Sequence, residues 1–408
     1  MWRERLVRLV VGLLVVVVLL LAVAALRPVP RDPAVPPEAY GTGAGREPSP
    51  AGEESSGRVG TVLVVEPGQT IQEVVDRARP GDVVEVPYGV YNEQVVVAVD
   101  NLTLRGVPNA QGEWPILDGQ NTLTDGVVVS ADGFEMAFFR LRNYTDNGVL
   151  AERVRGVYLH DLVTERTGTY GVYPVHCNDA LIERVVATGI NDAGIYAGQC
   201  ENVIIRDSEA YGNVIGIEVE NTDGFEIYNN RAYDNALGIF VDLLPQLEAK
   251  VSLRGKVYDN VSENNNGENF APPDSLAAQV PSGLGLFILA ADQNEVYNNV
   301  IRGNKTAGIA VFNLSVAFEE EEIDVGPNPE DNWIHDNVLE NNGFDPDPSV
   351  RELGIPGADI LWDGSGDNNR FDQPGATSFP PVLPSSRWPT PFYRLYWNVL
   401  NVLVSLIS

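Results

Sequence analysis

Glu218 and Glu220 stand two residues apart in Ile215-Gly216-Ile217-Glu218-Val219-Glu220, separated by aliphatic residues. Successive side chains of a strand point to opposite faces, so both carboxylates would share one face. Asp242 follows Glu220 by 22 residues in the like-patterned Leu237-Gly238-Ile239-Phe240-Val241-Asp242. Paired carboxylates can exchange protons with a bound group. Cleavage of a glycosidic bond uses two of them, about 5–5.5 Å apart for retention or about 6.5–9.5 Å for inversion. Glu218 with Glu220, or Glu220 with Asp242, could meet such spacings. Other copies of the phrase place Leu150, Tyr173, Tyr196, Phe240 and Phe287 two residues after the glycine, and Glu152 four after it. Aromatic rings offer a flat apolar surface to sugar rings, and carboxylates accept hydroxyl hydrogen bonds. Tyr173, Tyr196, Phe240 and Glu152 are therefore candidate contacts, with Glu218, Glu220 and Asp242 as candidate catalytic groups. The same carboxylates also read as ordinary solvated strand positions of an acidic protein.

What must position them is a repeat. Glycine followed by an aliphatic residue recurs at Gly126, Gly148, Gly171, Gly194, Gly216, Gly238, Gly285 and Gly308, at steps of 22, 23, 23, 22, 22, 47 and 23. The step of 47 reads as two turns plus an insertion. A second register repeats Tyr228-Asn229-Asn230, Tyr258-Asp259-Asn260, Tyr297-Asn298-Asn299 and His335-Asp336-Asn337, each with another Asn five residues on: Asn235, Asn265, Asn304 and Asn342. Self-similarity at this period marks a solenoid whose units bury their apolar faces against neighbours. A recurring leucine frame is missing, and short alternating strands punctuated by Gly and Asn point to a parallel β-helix. The Asn columns read as structural, since Asn tolerates left-handed turns and stacked amides bond along the axis.

On these residues the chain resembles the right-handed parallel β-helix proteins of the pectate-lyase-like superfamily, with carbohydrate-binding and sugar-hydrolase type repeats, over about residues 59 to 372. The resemblance implies an all-β solenoid that contacts polysaccharide. It leaves open whether the chain only binds or also acts as hydrolase, lyase or epimerase, because fold and activity are separable. The rival class is a non-catalytic surface, assembly or metal-handling β-helix protein. His176, in Tyr170-Gly171-Val172-Tyr173-Pro174-Val175-His176, loosely resembles part of a mannuronan epimerase signature. Tyr173 stands where that signature has Asp, and the histidine is displaced by one. His176 is thus a candidate general base or simply a turn histidine. The Asp clusters of β-helix pectate lyases have no clear match.

With 27 basic and 57 acidic residues the net charge is −30. That excludes ordinary nucleic-acid binding, which relies on Lys and Arg. Polyanionic glycans would need a divalent cation such as Ca²⁺ as a bridge; the acidity equally serves solubility. Cys177 and Cys200 lie six residues after Gly171 and Gly194, in one column on adjacent coils. Strands about 4.8 Å apart allow a disulfide between them, and stacked free thiols are the alternative.

The flanks complete the plan. Arg3, Arg5 and Arg8 precede an uncharged run of 18 residues, Leu9 to Leu26. Residues 1–27 read as a single-pass signal-anchor with the bulk of the chain outside the cytoplasm, or as a cleaved signal peptide. Residues 28–58 read as a Pro/Gly-rich tether. The β-helix follows over 59–372, opened by a cap helix in which Thr70 and Glu73 form a capping box. Insertions around Phe270–Gly283 and Ser315–Asp331 flank one column of strands, and loops on one rim suit binding. Residues 373–391 read as a linker, and 392–408 as an amphipathic helix for a membrane interface or, alternatively, for capping the last coil.

Overall fold

The computed structural model describes residues 60–389 and 391–397. Every strand pairs in parallel with the strand one coil away, giving an 11-stranded and a 19-stranded sheet that run along one axis. One coil shows the path. Ile215–Glu220 lies in the 11-stranded sheet, the chain turns into Asp223–Tyr228 and Arg231–Tyr233 of the longer sheet, and Leu237–Asp242 begins the next coil. The expected vertical alignment holds residue by residue, but the 47-residue step from Gly238 to Gly285 is one coil enlarged by loops, not two turns plus an insertion, since Leu237–Asp242 pairs directly with Leu284–Leu289. Ile195 pairs with Ile217, Ile217 with Ile239, Ile239 with Leu286, and Leu286 with Ile309. All five are buried in one continuous core, and each such side chain contributes about 1.5–3 kcal/mol by leaving water.

The recurring glycine has a steric cause. A Cβ on Gly216 would lie 2.5 Å from the carbonyl oxygen of Gly238, and one on Gly238 would lie 2.5 Å from that of Gly285. The coils approach too closely there for any side chain. The Asn columns form amide ladders: Asn230 donates to Asn260, Asn260 to Asn299 and Asn299 to Asn337, at 2.9–3.0 Å. A parallel ladder runs Asn235, Asn265, Asn304, Asn342, and a third, not read from the sequence, runs Asn294, Asn332, Asn369. The left-handed turn residue is not the ladder Asn but the one before it: Asn229, Asp259, Asn298 and Asp336 have φ of 52–56°. The ladder side chains point inward and are fully occupied by amides and carbonyls.

Both ends are closed. Helix Ile71–Val75 has the expected capping box between Thr70 and Glu73 and buries Ile71, Val74 and Val75 over the first coil. At the other end, residues 373–391 are not a free linker: Ser378–Phe379 adds a further strand beside Ile360–Leu361. Residues 391–397 are helical, and Tyr393 is buried 5.1 Å from the ring of Trp362. This described part of the terminal segment covers Trp362 on the last coil, as the capping alternative expects. Among the described residues no helix is long and apolar enough to cross a membrane. The expected anchor, 1–27, and tether, 28–58, lie outside the described residues, as do 398–408.

The disulfide expectation is corrected. Cys177 and Cys200 are adjacent and buried, as the column predicts, but both are free. Their thiols lie against one another as stacked free thiols, the alternative to a bridge. The sulfur of Cys200 accepts from the backbone N–H of Cys177 at 3.2 Å, while the Cys177 thiol donates to the Ala151 carbonyl at 3.2 Å.

Candidate functional site

The outer face of the 11-stranded sheet brings Tyr196, Glu218, Glu220, Phe240 and Asp242 together but buries them. In register, Tyr196 lies beside Glu218 and Glu218 beside Phe240, while Gly198, Glu220 and Asp242 form the next column. Sequence pattern had made this a solvent-facing wall. Instead, relative exposure is 2% for Tyr196, 5% for Glu218 and Phe240, 8% for Glu220 and 0% for Asp242. The cause lies in four excursions of the chain. Loop 243–252, the two expected insertions and the segment around helix Pro348–Glu352 fold back over the strands. Leu243, Ala277, Leu314 and Val350 join Tyr196, Phe240 and Phe287 in a second apolar cluster outside the coil. Only two of these excursions were legible as insertions, and neither showed where it would land.

Under this cover, Glu218, Glu220 and Asp242 each place a carboxylate oxygen within 4.8 Å of the other two. Both oxygens of Asp242 and Oε2 of Glu218 are buried with no hydrogen-bond partner in the protein. Glu220 is held differently: the Tyr196 hydroxyl donates to its Oε1 at 2.8 Å. A glycine makes that reach possible, since a Cβ at Gly198 would sit 1.9 Å from the Tyr196 hydroxyl. Burial pushes the Glu218 and Asp242 carboxyls well above the usual range, and the neighbouring acids push them further. Burial also pushes Glu220 up to about 7, against the lowering effect of the Tyr196 bond. Asp192, which sequence reasoning missed, is pushed up to about 7 by burial and then by Glu220. No Lys, Arg or His figures among the groups that shift these four.

Three tyrosines wall the cluster on its N-terminal side. Tyr170 packs 4.4 Å from both Tyr173 and Tyr196, and Tyr173 meets Tyr196 edge-on at 4.9 Å. Tyr173 and Tyr170 keep part of their surface open, and the Glu152 side chain one coil earlier is 53% exposed. Tyr170 and Asp192 escaped notice for one reason: they precede the repeat glycine, and the columns were counted only after it.

His176 goes elsewhere. It sits in a left-handed turn, φ 54°, with its Nε2 3.9 Å from Glu248. Its column, Arg153, His176, Gln199 and Asn221, anchors loop 243–252. Arg153 pairs with Glu248 at 2.6 Å, Gln199 accepts from the backbone of Glu248 and Ala249, and Asn221 bonds Leu244 and Ala249. This polar column holds down part of the cover.

No curated protein matches the sequence. The family described as "right handed beta helix region" matches residues 147–319. Among solved structures, the chain is similar to the tailspike protein of E. coli bacteriophage HK620 in complex with pentasaccharide, at 9% identity, covering 79% of this chain and 62% of that one with a TM-score of 0.53. It is also similar to the Azotobacter vinelandii mannuronan C-5 epimerase AlgE6 A-module (17% identity, 74% and 80% covered, TM-score 0.46). Pectate lyase Pel9A is a further neighbour (13% identity, 79% and 78% covered, TM-score 0.41). At these identities the likeness concerns the fold alone.

Proposed function

We propose, for a chain that folds as a right-handed parallel β-helix of the pectate-lyase-like kind, that it binds polysaccharide at the tyrosine-walled end of its covered strand face. The observation that carries this reading is the packing of Tyr170 and Tyr173 around Tyr196, whose hydroxyl holds the Glu220 carboxylate. Flat rings beside hydrogen-bond acceptors suit a sugar, whose ring faces are apolar and whose rim is hydroxylated. Tyr173 and Glu152 are reachable as the structure stands. Tyr196 and Phe240 lie beneath the insertions, so a sugar touches them only when those loops move. The HK620 tailspike, of the same fold, was solved with a pentasaccharide, which supports glycan as the ligand class. The net charge of −30 favours neutral glycans, or anionic ones bridged by a cation such as Ca²⁺.

Any reaction on this face is hydrolysis, elimination or epimerisation, with Glu220 the proton-transfer group because Tyr196 orients it. Glu218 and Asp242 stand behind it, and His176 belongs to the loop anchor. The carboxylate oxygens lie closer together than the about 6.5–9.5 Å an inverting hydrolase needs. The protein would work outside the cytoplasm, held by the apolar run Leu9–Leu26. A non-catalytic surface or assembly protein is the second reading, favoured by the complete burial of Asp242.

Oligosaccharide binding to the full chain and to Tyr173→Ala tests the contact. Loss of one aromatic contact predicts about tenfold weaker binding; unchanged affinity removes this face. Release of reducing ends or unsaturated products, compared with Glu220→Gln, separates enzyme from binder.

A further inference from the structure

We infer that Glu218, Glu220 and Asp242 form a binding site for a hard divalent cation of the Ca²⁺ type. The inference stands on observations other than those of the glycan reading, and with the cation bound Glu220 is its ligand rather than a proton-transfer group. Its basis is the two unpartnered oxygens of Asp242 in a fully buried side chain, together with the unpartnered Oε2 of Glu218. A buried carboxylate is costly unless paired, hydrogen-bonded or bound to a metal. Here neither a donor nor a basic side chain answers the buried lone pairs of Asp242, whose strand neighbour Glu220 is itself acidic.

The donor set selects the ion class. Three carboxylates without a Cys or His ligand suit Mg²⁺, Ca²⁺ or Mn²⁺ rather than Zn²⁺ or Cu²⁺. Size then discriminates. Oxygens about 2.3–2.6 Å from Ca²⁺ can stand up to about 5 Å apart, and the three carboxylate oxygens all lie within 4.8 Å of one another, while a flexible oxygen shell suits Ca²⁺ better than the strict octahedron of Mg²⁺. Three ligating side chains fall short of the 6–8 oxygens Ca²⁺ takes, even with Asp242 bidentate. The remainder would come from water or a bound hydroxylated ligand, entering past Asp192 and Tyr170, which keep partial exposure.

The nearby tyrosines supply the readout. In the full chain, Tb³⁺ bound at this cluster lies close to Tyr196 and emits when tyrosine is excited. The expected result is one saturable Tb³⁺ component displaced by Ca²⁺, and a higher melting temperature in Ca²⁺ than in chelator. Asp242→Asn should weaken that component on the order of tenfold or more, as loss of one charged ligand from three. Neutralising the exposed run Glu320, Glu321 and Glu322 should leave it unchanged, which separates the site from diffuse binding to an acidic surface. If Asp242→Asn does not fold, Glu218→Gln serves the same purpose. A component that survives either cluster substitution overturns the inference. So does a wild-type protein showing no Ca²⁺-dependent stabilisation while Asp242→Asn melts higher, the behaviour of carboxyls that hold protons instead.

Discussion

His160 and Asp242 are both buried ionisable groups, and the chain answers them in opposite ways. His160 is met by charge: Nε2 lies 3.3 Å from Glu135, and Nδ1 lies 2.7 Å from Asp161 and 3.3 Å from Arg184. Burial would lower its pKa, but the carboxylates of Glu135 and Asp161 outweigh that and hold it above the ordinary value. A folded pKa above the unfolded one means that His160 stabilises the fold fully below the unfolded value of about 6.5 and ceases to as pH rises past the folded one. Melting temperature should therefore fall more steeply from pH 6 to pH 9 in the wild type than in His160→Gln. Parallel curves would contradict this. Asp242 has no such partners. The sequence shows why Glu220 and Asp242 meet, because a strict 22-residue step stacks them. It does not show that they meet in the dark, since burial there depends on loops whose destination no strand pattern encodes. The same limit hid the fate of Cys177 and Cys200: the column was legible, whereas whether the stacked thiols would join was not.

Elements in this molecule are defined by their ladders. Asn299 donates to the Val257 and Tyr297 carbonyls and to Asn337, and accepts from the backbone and side chain of Asn260. Replacing it by Ala leaves several buried groups unpaired, and each such group costs about 1–3 kcal/mol. Asn299→Ala should therefore lower stability by about 2–4 kcal/mol in denaturant unfolding; a loss below about 0.5 kcal/mol would show that the amide column is ornamental. These ladders were readable in outline because Asn recurs at fixed offsets from Tyr. The third one escaped because Asn294, Asn332 and Asn369 lack that shared Tyr. The covering loops were least readable. Leu243, Ala277, Leu314 and Val350 lie in stretches without a strand repeat, and only the three-dimensional path shows them landing on one face.

The whole molecule is a closed stack with one face covered. A helix shuts one end, Tyr393 shuts the other on Trp362, and the outer face from Tyr196 to Phe287 is roofed by the chain's own excursions. What stays open is the N-terminal part of that face, where Val128, Leu150 and Tyr173 are only partly covered and Glu152 is exposed. A solenoid presents its length as a binding surface, and here the roof restricts that length to the coils before Gly194. The most direct test is a structure with a bound oligosaccharide. Sugar rings against Tyr173, within reach of Glu152 and directed toward Glu220, are the result this account predicts. Sugar bound instead along the stacked tyrosines of the longer sheet, Tyr228, Tyr258 and Tyr297, with the tyrosine-walled end empty, would contradict it.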